Sequence, residues 1–157
     1  DRVLDAGTGT GILAAYLGRL GADVTTYERD ADFAEVARDN MAVAGVADTV
    51  DVRTGDLTEE TDALAGAEPF DLLTLDTEDA PEVVADAGEL LAAGGYLAVY
   101  SPFVENSRAT VAAAEAAGLS DIETIETIQR ELTVDDRGTR PSTVGVGHTG
   151  YLTFARR

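Results

Sequence analysis

Apolar residues fall in short runs separated by longer stretches in which they repeat every three to four positions. Runs consistent with buried strands lie at residues 1–5 (DRVLD), 23–27 (DVTTY), 50–53, 70–75 (FDLLTL), 96–100 (YLAVY), 122–128 and 151–155. Between most of them the spacing predicts helices over 12–20, 31–44, 81–91 and 107–117. Such alternation argues for a parallel, doubly wound α/β sheet. Gly21, Gly45 and Gly118 each follow an Ala-rich helical stretch, where a left-handed C-cap is expected, and Pro81 stands where a first helical position would be. The 122–128 run alternates Ile with Glu and Thr, which predicts one solvated face and an edge position. Residues 132–150 form a long connection with several Gly and no clear period, expected to be functional or mobile.

Composition narrows the chemistry. A chain of 157 residues suffices for one domain with a real core. Its 45% hydrophobic and 26% charged residues are ordinary, so 30 Asp and Glu against 11 basic residues, a net charge of -19, overlie a normal interior rather than signal disorder. All the basic residues are Arg. High acid with no Lys resembles proteins of extreme halophiles: dense carboxylates hold water and cations, and a screening length of about 3 Å in 1 M salt suppresses their repulsion. With no Cys and one His, disulfides, thiolate nucleophiles and Cys- or His-rich metal sites are excluded, and no metal is expected. No apolar run approaches the ~20 residues of a membrane span, so the reading is of a soluble, cytoplasmic protein with no membrane partner. The abrupt opening on a strand, without Met, reads as a domain cut from something longer.

The strongest local signal is Asp5-Ala6-Gly7-Thr8-Gly9-Thr10-Gly11, between a strand and a helix. Glycines there allow a tight turn and close approach of a ligand, and free N–H groups at the helix start can meet a polar group. A dinucleotide fingerprint would place Gly or Ala at position 12, which is Ile12, and a Gly-Lys phosphate loop cannot exist without Lys. Glu28 ends the second strand about 20 positions later, where a carboxylate can accept hydrogen bonds from both ribose hydroxyls. Asp56 follows the third strand and Asp76 ends the fourth. Ligands of open α/β sheets bind beyond the carboxyl ends of the strands, so Asp5, Glu28, Asp56 and Asp76 are expected to converge on one crevice. Asp5 either meets the ligand or orients the glycine loop.

DAGTGTG, the acid at Glu28 and the Thr-Gly-Asp ending on Asp56 resemble the S-adenosylmethionine-dependent methyltransferase superfamily. The resemblance implies a Rossmann-like sheet of about seven strands, mostly parallel with an antiparallel last strand, over residues 1–157. Within that superfamily, LLTLDTEDAP, GGYLAVYSPFVEN and RPSTVGVGHTGYLTFARR resemble the tRNA (adenine-N1)-methyltransferase family in its archaeal branch. It implies methyl transfer from S-adenosylmethionine to N1 of T-loop adenosine 58, and in archaeal relatives 57. Gly7, Gly9 and Gly11 would approach the methionine part of the cofactor, Glu28 its ribose and Asp56 the adenine amino group, with Asp5, Thr8, Arg29 and Asp76 counted in the same site. Asp76 would face the substrate as the catalytic residue; its segment stands where exocyclic-amine methyltransferases carry an Asn-Pro-Pro-Tyr type of motif. The resemblance also implies a small N-terminal β-rich domain and an upstream segment, neither of which is expected within residues 1–157.

On the substrate side, Tyr100 and Phe103 either stack on an unstacked adenine or, for Tyr100 above all, pack in the core. His148 is a loop anchor or a substrate contact. Glu78 and Asp79 lie near Asp76 or merely cap the following helix. An excess of acid ordinarily argues against nucleic acid, but residues 137–157 hold Arg137, Arg140, Arg156 and Arg157 with no Asp or Glu. That stretch, next to the substrate face, is the expected tRNA surface, or else a contact between subunits of the homotetramer that the resemblance implies. The alternatives are a methyltransferase of a small molecule or protein, a non-catalytic tRNA-binding partner subunit and, last, a dehydrogenase.

Overall fold

The computed structural model describes residues 1–145 and 147–157; position 146, inside the long connection, lies outside the described residues. Among the described residues nine strands alternate with helices: β1 (Arg2–Ala6), α1 (Ile12–Arg19), β2 (Asp23–Glu28), α2 (Ala31–Ala44), β3 (Val50–Thr54), a 3-10 turn (Leu57–Glu59), α3 (Thr61–Ala65), β4 (Phe70–Leu75), α4 (Ala80–Ala85), α5 (Ala87–Leu90), β5 (Leu91–Ser101), α6 (Val104–Ala116), β6 (Ser120–Gln129), β7 (Leu132–Asp135), β8 (Gly138–Pro141) and β9 (Gly147–Arg156). Seven of the strands form one sheet in the order β3-β2-β1-β4-β5-β9-β6. All neighbours run parallel except β9, which is antiparallel to both β5 and β6. This is the expected doubly wound sheet, with β6 at its edge.

Two cores follow from the two-residue period of a strand. Val3 points to one face, joining Val24, Val50, Ala34, Ala37 and Met41 under α1 and α2. Its neighbour Leu4 points to the other, joining Leu73, Leu97, Val83, Val84 and Leu90 under α4, α5 and α6. Because both faces are covered, the central strands bury side chains on both sides, mostly apolar with Asp5, Thr26 and Thr74 among them. The three C-cap glycines take positive φ as expected, at 88°, 71° and 76° for Gly21, Gly45 and Gly118.

Three expectations need correction. The helix expected over 81–91 is two short helices broken at Asp86, and Leu91 already belongs to β5. The strand expected over 96–100 begins earlier, at Leu91, and runs through Ala92–Gly95 with a register shift against β4 between Phe70 and Leu72. The long connection contains a small antiparallel hairpin, β7 against β8, too short to show a period and with its two alternating apolar residues, Leu132 and Val134, left exposed.

Candidate active site

The carboxyl ends of β1 to β4 open into a cavity of about 470 Å³. Its lining includes Gly7, Gly9, Glu28, Arg29, Asp56 and Asp76. Strand order explains the convergence: β1 is flanked by β2 and β4, and β2 by β3, so four loops meet at one edge. Asp5 does not line the cavity. It is buried, and its carboxylate accepts the Thr26 and Thr74 hydroxyls at 2.5 Å each, tying β1 to both neighbours. The Thr8 hydroxyl lies 2.5 Å from that of Thr26, so the glycine loop hangs from Asp5 through a relay of hydroxyls. Asp5 therefore orients the loop. Burial pushes its carboxyl above the ordinary aspartate range, against the two threonine hydrogen bonds that favour the charged form.

The three glycines do different work. Gly7 has φ +88°, and a Cβ there would stand 2.0 Å from the Asp76 carbonyl oxygen, so the loop packs directly on the backbone of Asp76. Gly9 borders the cavity with nothing within 4 Å of a built Cβ, and its N–H donates to Glu28 at 2.8 Å. Gly11 abuts Met41 and Ala37 of α2 and, like Thr8, lies behind the cavity rather than on it.

The acids differ in what engages them. Glu28 accepts from the N–H groups of Gly9 and Asp30. Asp56 caps the 3-10 turn through one oxygen, which accepts the Thr58 N–H at 3.0 Å and hydroxyl at 2.8 Å; these bonds, helped by Arg29, hold its carboxyl below the ordinary range. Its other oxygen is 3.5 Å from Arg29. Among the described residues the Asp76 carboxylate has no donor and no ion-pair partner, and loss of surrounding water pushes it above the ordinary aspartate range. The loop after it is held by Asn106 of α6, whose Nδ2 donates to the Glu78 carbonyl at 2.6 Å. Neither Asn106 nor Thr58 was found from sequence. For Thr58 the signal was available, a hydroxyl two residues after a strand-ending Asp; for Asn106 there was none.

The residues expected on the substrate side lie at the same edge but off the cavity. Tyr100 packs its ring against Gly150 and donates its hydroxyl to the Thr149 carbonyl at 2.5 Å, joining β5 to β9. Phe103 is 66% exposed before α6. His148 lies between the Glu126 carboxylate, 3.2 Å from Nδ1, and the Pro102 carbonyl, 3.1 Å from Nε2, with its ring 4.8 Å from that of Tyr151; it anchors β9 to β6 and to the end of β5.

The Arg-bearing ending is not one surface, which corrects the sequence reading. Antiparallel β9 starts at the cavity edge and carries Arg156 about 17 Å away from Tyr151 at ~3.3 Å per residue, where it lies over the Tyr96 ring and Arg157 bonds the Leu91 carbonyl. Arg137 and Arg140 lie instead on the β7–β8 hairpin, which follows β6 from the carboxyl-end side of the sheet. Arg140 is paired with Asp135 at 2.8 Å.

The sheet order with one antiparallel strand, and the glycine loop against a strand-ending acid, define a Rossmann-like methyltransferase fold. A solved S-adenosylmethionine-dependent O-methyltransferase from Thermotoga maritima superposes with a TM-score of 0.85 at 28% identity, covering 100% of this chain and 59% of that one. Residues 1–139 match the family described as tRNA methyltransferase complex GCD14 subunit, and the chain belongs to that family. It is 33% identical to the tRNA (adenine(57)-N(1)/adenine(58)-N(1))-methyltransferase TrmI of Methanocaldococcus jannaschii, over 99% of this chain and 64% of that protein. This chain thus spans just under two thirds of that relative's length. The tRNA (m1A58) methyltransferase TrmI of Aquifex aeolicus shares the fold, with a TM-score of 0.77 at 24% identity over 99% of this chain and 61% of that one.

Proposed function

We propose that the chain is the catalytic domain of a methyltransferase that moves a methyl group from S-adenosylmethionine to N1 of a tRNA adenosine, at T-loop position 58 or 57 as in the archaeal relative. The observation that carries this reading is Asp76: an unengaged carboxylate on the cavity wall, in backbone contact with the glycine loop. The residues present fit the cofactor. Gly9 leaves open space beside the cavity, the carboxylates of Glu28 and Asp56 line it and keep acceptor lone pairs for hydroxyl and amino groups, and the acidic lining suits a ligand of net positive charge. When bound, S-adenosylmethionine supplies an electrophilic methyl group on a sulfonium. Adenine N1 already holds a lone pair, so no base must deprotonate it. Asp76 accepts a hydrogen bond from the N6 amino group, which aligns the ring and stabilises the positive charge that develops as N1 is alkylated. Phe103 and Arg137, exposed on the carboxyl-end side of the sheet, are assigned to the RNA, with His148, Tyr100 and Arg140 shaping that side from behind.

The test is tritium transfer from labelled S-adenosylmethionine to tRNA by the full protein, followed by mass spectrometry of the modified nucleoside. N1-methyladenosine in the T-loop is expected. No incorporation by folded protein, or a methyl group on another nucleoside or on protein alone, overturns the reading. A homo-oligomer belongs to the same proposal, supported by the exposed Ile12, Tyr16 and Val43 on α1 and α2, and sedimentation of the full protein tests it.

We also infer a saline cytoplasm as the working environment, from the net charge of -19 and the absence of Lys. Such a surface repels itself unless screened. The domain is expected to lose its far-UV circular dichroism on dilution from molar to millimolar KCl; an unchanged spectrum contradicts the inference.

A further inference from the structure

Five carboxylates line the cavity, from Glu28, Asp56, Asp76, Glu78 and Asp79, and among the described residues Arg29 is the only basic side chain lining it. The Arg29 guanidinium reaches across the mouth. It donates to Asp79 at 2.6 Å and lies 3.5 Å from both Asp56 and Glu78. Asp56 belongs to the loop after β3, on one side of the cavity. Glu78 and Asp79 belong to the loop after β4, two and three residues beyond Asp76.

We propose that Arg29 is a positioning residue that straps the β4–α4 loop to the β3 side of the cavity and thereby holds Asp76 in its working place. The inference rests on the methyl-transfer reading and replaces the expectation that Arg29 touches the cofactor, since both its terminal nitrogens already face acids, Nη1 Asp56 and Asp79 and Nη2 Glu78. An isolated pair as exposed as Arg29–Asp79 contributes little to stability. The strap matters for another reason. Without the guanidinium, five like charges share one opening; among the described residues the other side-chain bond on the 77–79 loop is that of Asn106 to the Glu78 carbonyl, while Asp76 itself stays tied to Ala6 through its backbone N–H. Displacing Asp76 by about 1 Å is enough to cost a large part of the rate. The 2.6 Å contact also lies inside the ~3 Å screening length of molar salt, so it survives where longer-range terms do not.

Arg29→Met, Asp79→Asn and the double variant of the full protein decide the matter. Arg29→Met is expected to slow single-turnover methyl transfer by about tenfold to a hundredfold, while affinity for S-adenosylhomocysteine, read by calorimetry, moves less than about threefold. The double variant is expected to be no slower than Arg29→Met alone, because both substitutions cut the same link. Amide exchange across residues 76–83 is expected to speed up in Arg29→Met while β1 and β2 stay protected. A loss confined to S-adenosylhomocysteine affinity, additive losses in the double variant, or unchanged exchange in the loop overturns the strap. Should the wild type transfer no methyl to tRNA, the reading of the function fails separately; the exchange measurement then decides the strap alone, faster loop exchange supporting it and unchanged exchange overturning it.

Discussion

Asp76→Asn is expected to lower the rate of methyl transfer to tRNA by about a hundredfold to a thousandfold, the cost of removing one preorganised charge-stabilising group from a reacting centre. Affinity for S-adenosylhomocysteine should stay within about threefold, because the nucleoside end is assigned to Glu28 and Asp56 rather than to Asp76. The pH profile carries a second signature. In the proposed mechanism the ionised carboxylate does the work, and partial desolvation raises its titration above the ordinary aspartate value of 3.8. The acid limb of the wild-type rate should therefore sit above that value and vanish in the variant. The sign for stability is opposite. A carboxyl whose pKa is raised by folding favours the folded state at low pH, and that contribution is lost as pH rises through the folded value. At neutral pH the ionised Asp76 is therefore a cost, so Asp76→Asn should leave the melting temperature equal or higher, the usual trade between a functional group and stability. Turnover kept within threefold, or a collapse of the fold, contradicts the assignment.

Much of this site was legible because parallel sheets impose a rule. Once DAGTGTG is placed after a strand, the ends of the following strands must lie beside it, and Glu28, Asp56 and Asp76 are found by counting strand ends. The same rule overreached at Asp5. It too ends a strand region, but on the central strand the side chain faces Thr26 and Thr74 of both neighbours and is swallowed by the sheet. Sequence alone cannot separate an acid that looks out of a sheet from one that looks across it.

The Arg-rich ending failed for a related reason. Charge counted along the chain treats residues 137–157 as one patch, whereas an antiparallel strand carries its end to the opposite side of the sheet. The β7–β8 hairpin then supplies Asp135 to Arg140 from outside the acid-free stretch. Periodicity found the strands that bury a face, and it missed the 3-10 turn, α3 and the hairpin, which bury little or nothing continuous. The local Asx turn at Asp56 was visible in principle, since Asp-Leu-Thr offers both the carboxylate and the hydroxyl that close it. Arg29 was legible as a site residue only by adjacency to Glu28; its link to Asp79, 50 positions away, is purely a product of the fold.

Alanine at Gly7 and at Gly9 should separate stability from binding within a single loop. At Gly7 the φ of +88° costs an L-residue about 1–2 kcal/mol, and the new Cβ would stand 2.0 Å from the Asp76 carbonyl oxygen, a backbone atom that cannot swing away. The loop and the Asp76 segment must move apart, which also strains the 2.9 Å bond from the Asp76 N–H to the Ala6 carbonyl. Gly7→Ala is therefore expected to lose about 3 kcal/mol or more of unfolding free energy, together with all measurable methyl transfer. At Gly9 the φ is +54° and nothing lies within 4 Å of the added Cβ. The stability cost there should stay near the ~1 kcal/mol of left-handed backbone alone. The methyl group would instead project beside the cavity where the cofactor is assigned, so S-adenosylhomocysteine affinity should fall by about tenfold or more in a protein that melts nearly as the wild type does. Denaturant titration and calorimetry on the two variants give the contrast directly. Equal stability losses would mean that the Asp76 carbonyl does not confine Gly7, and undiminished affinity in Gly9→Ala would mean that the glycine loop does not face the cofactor.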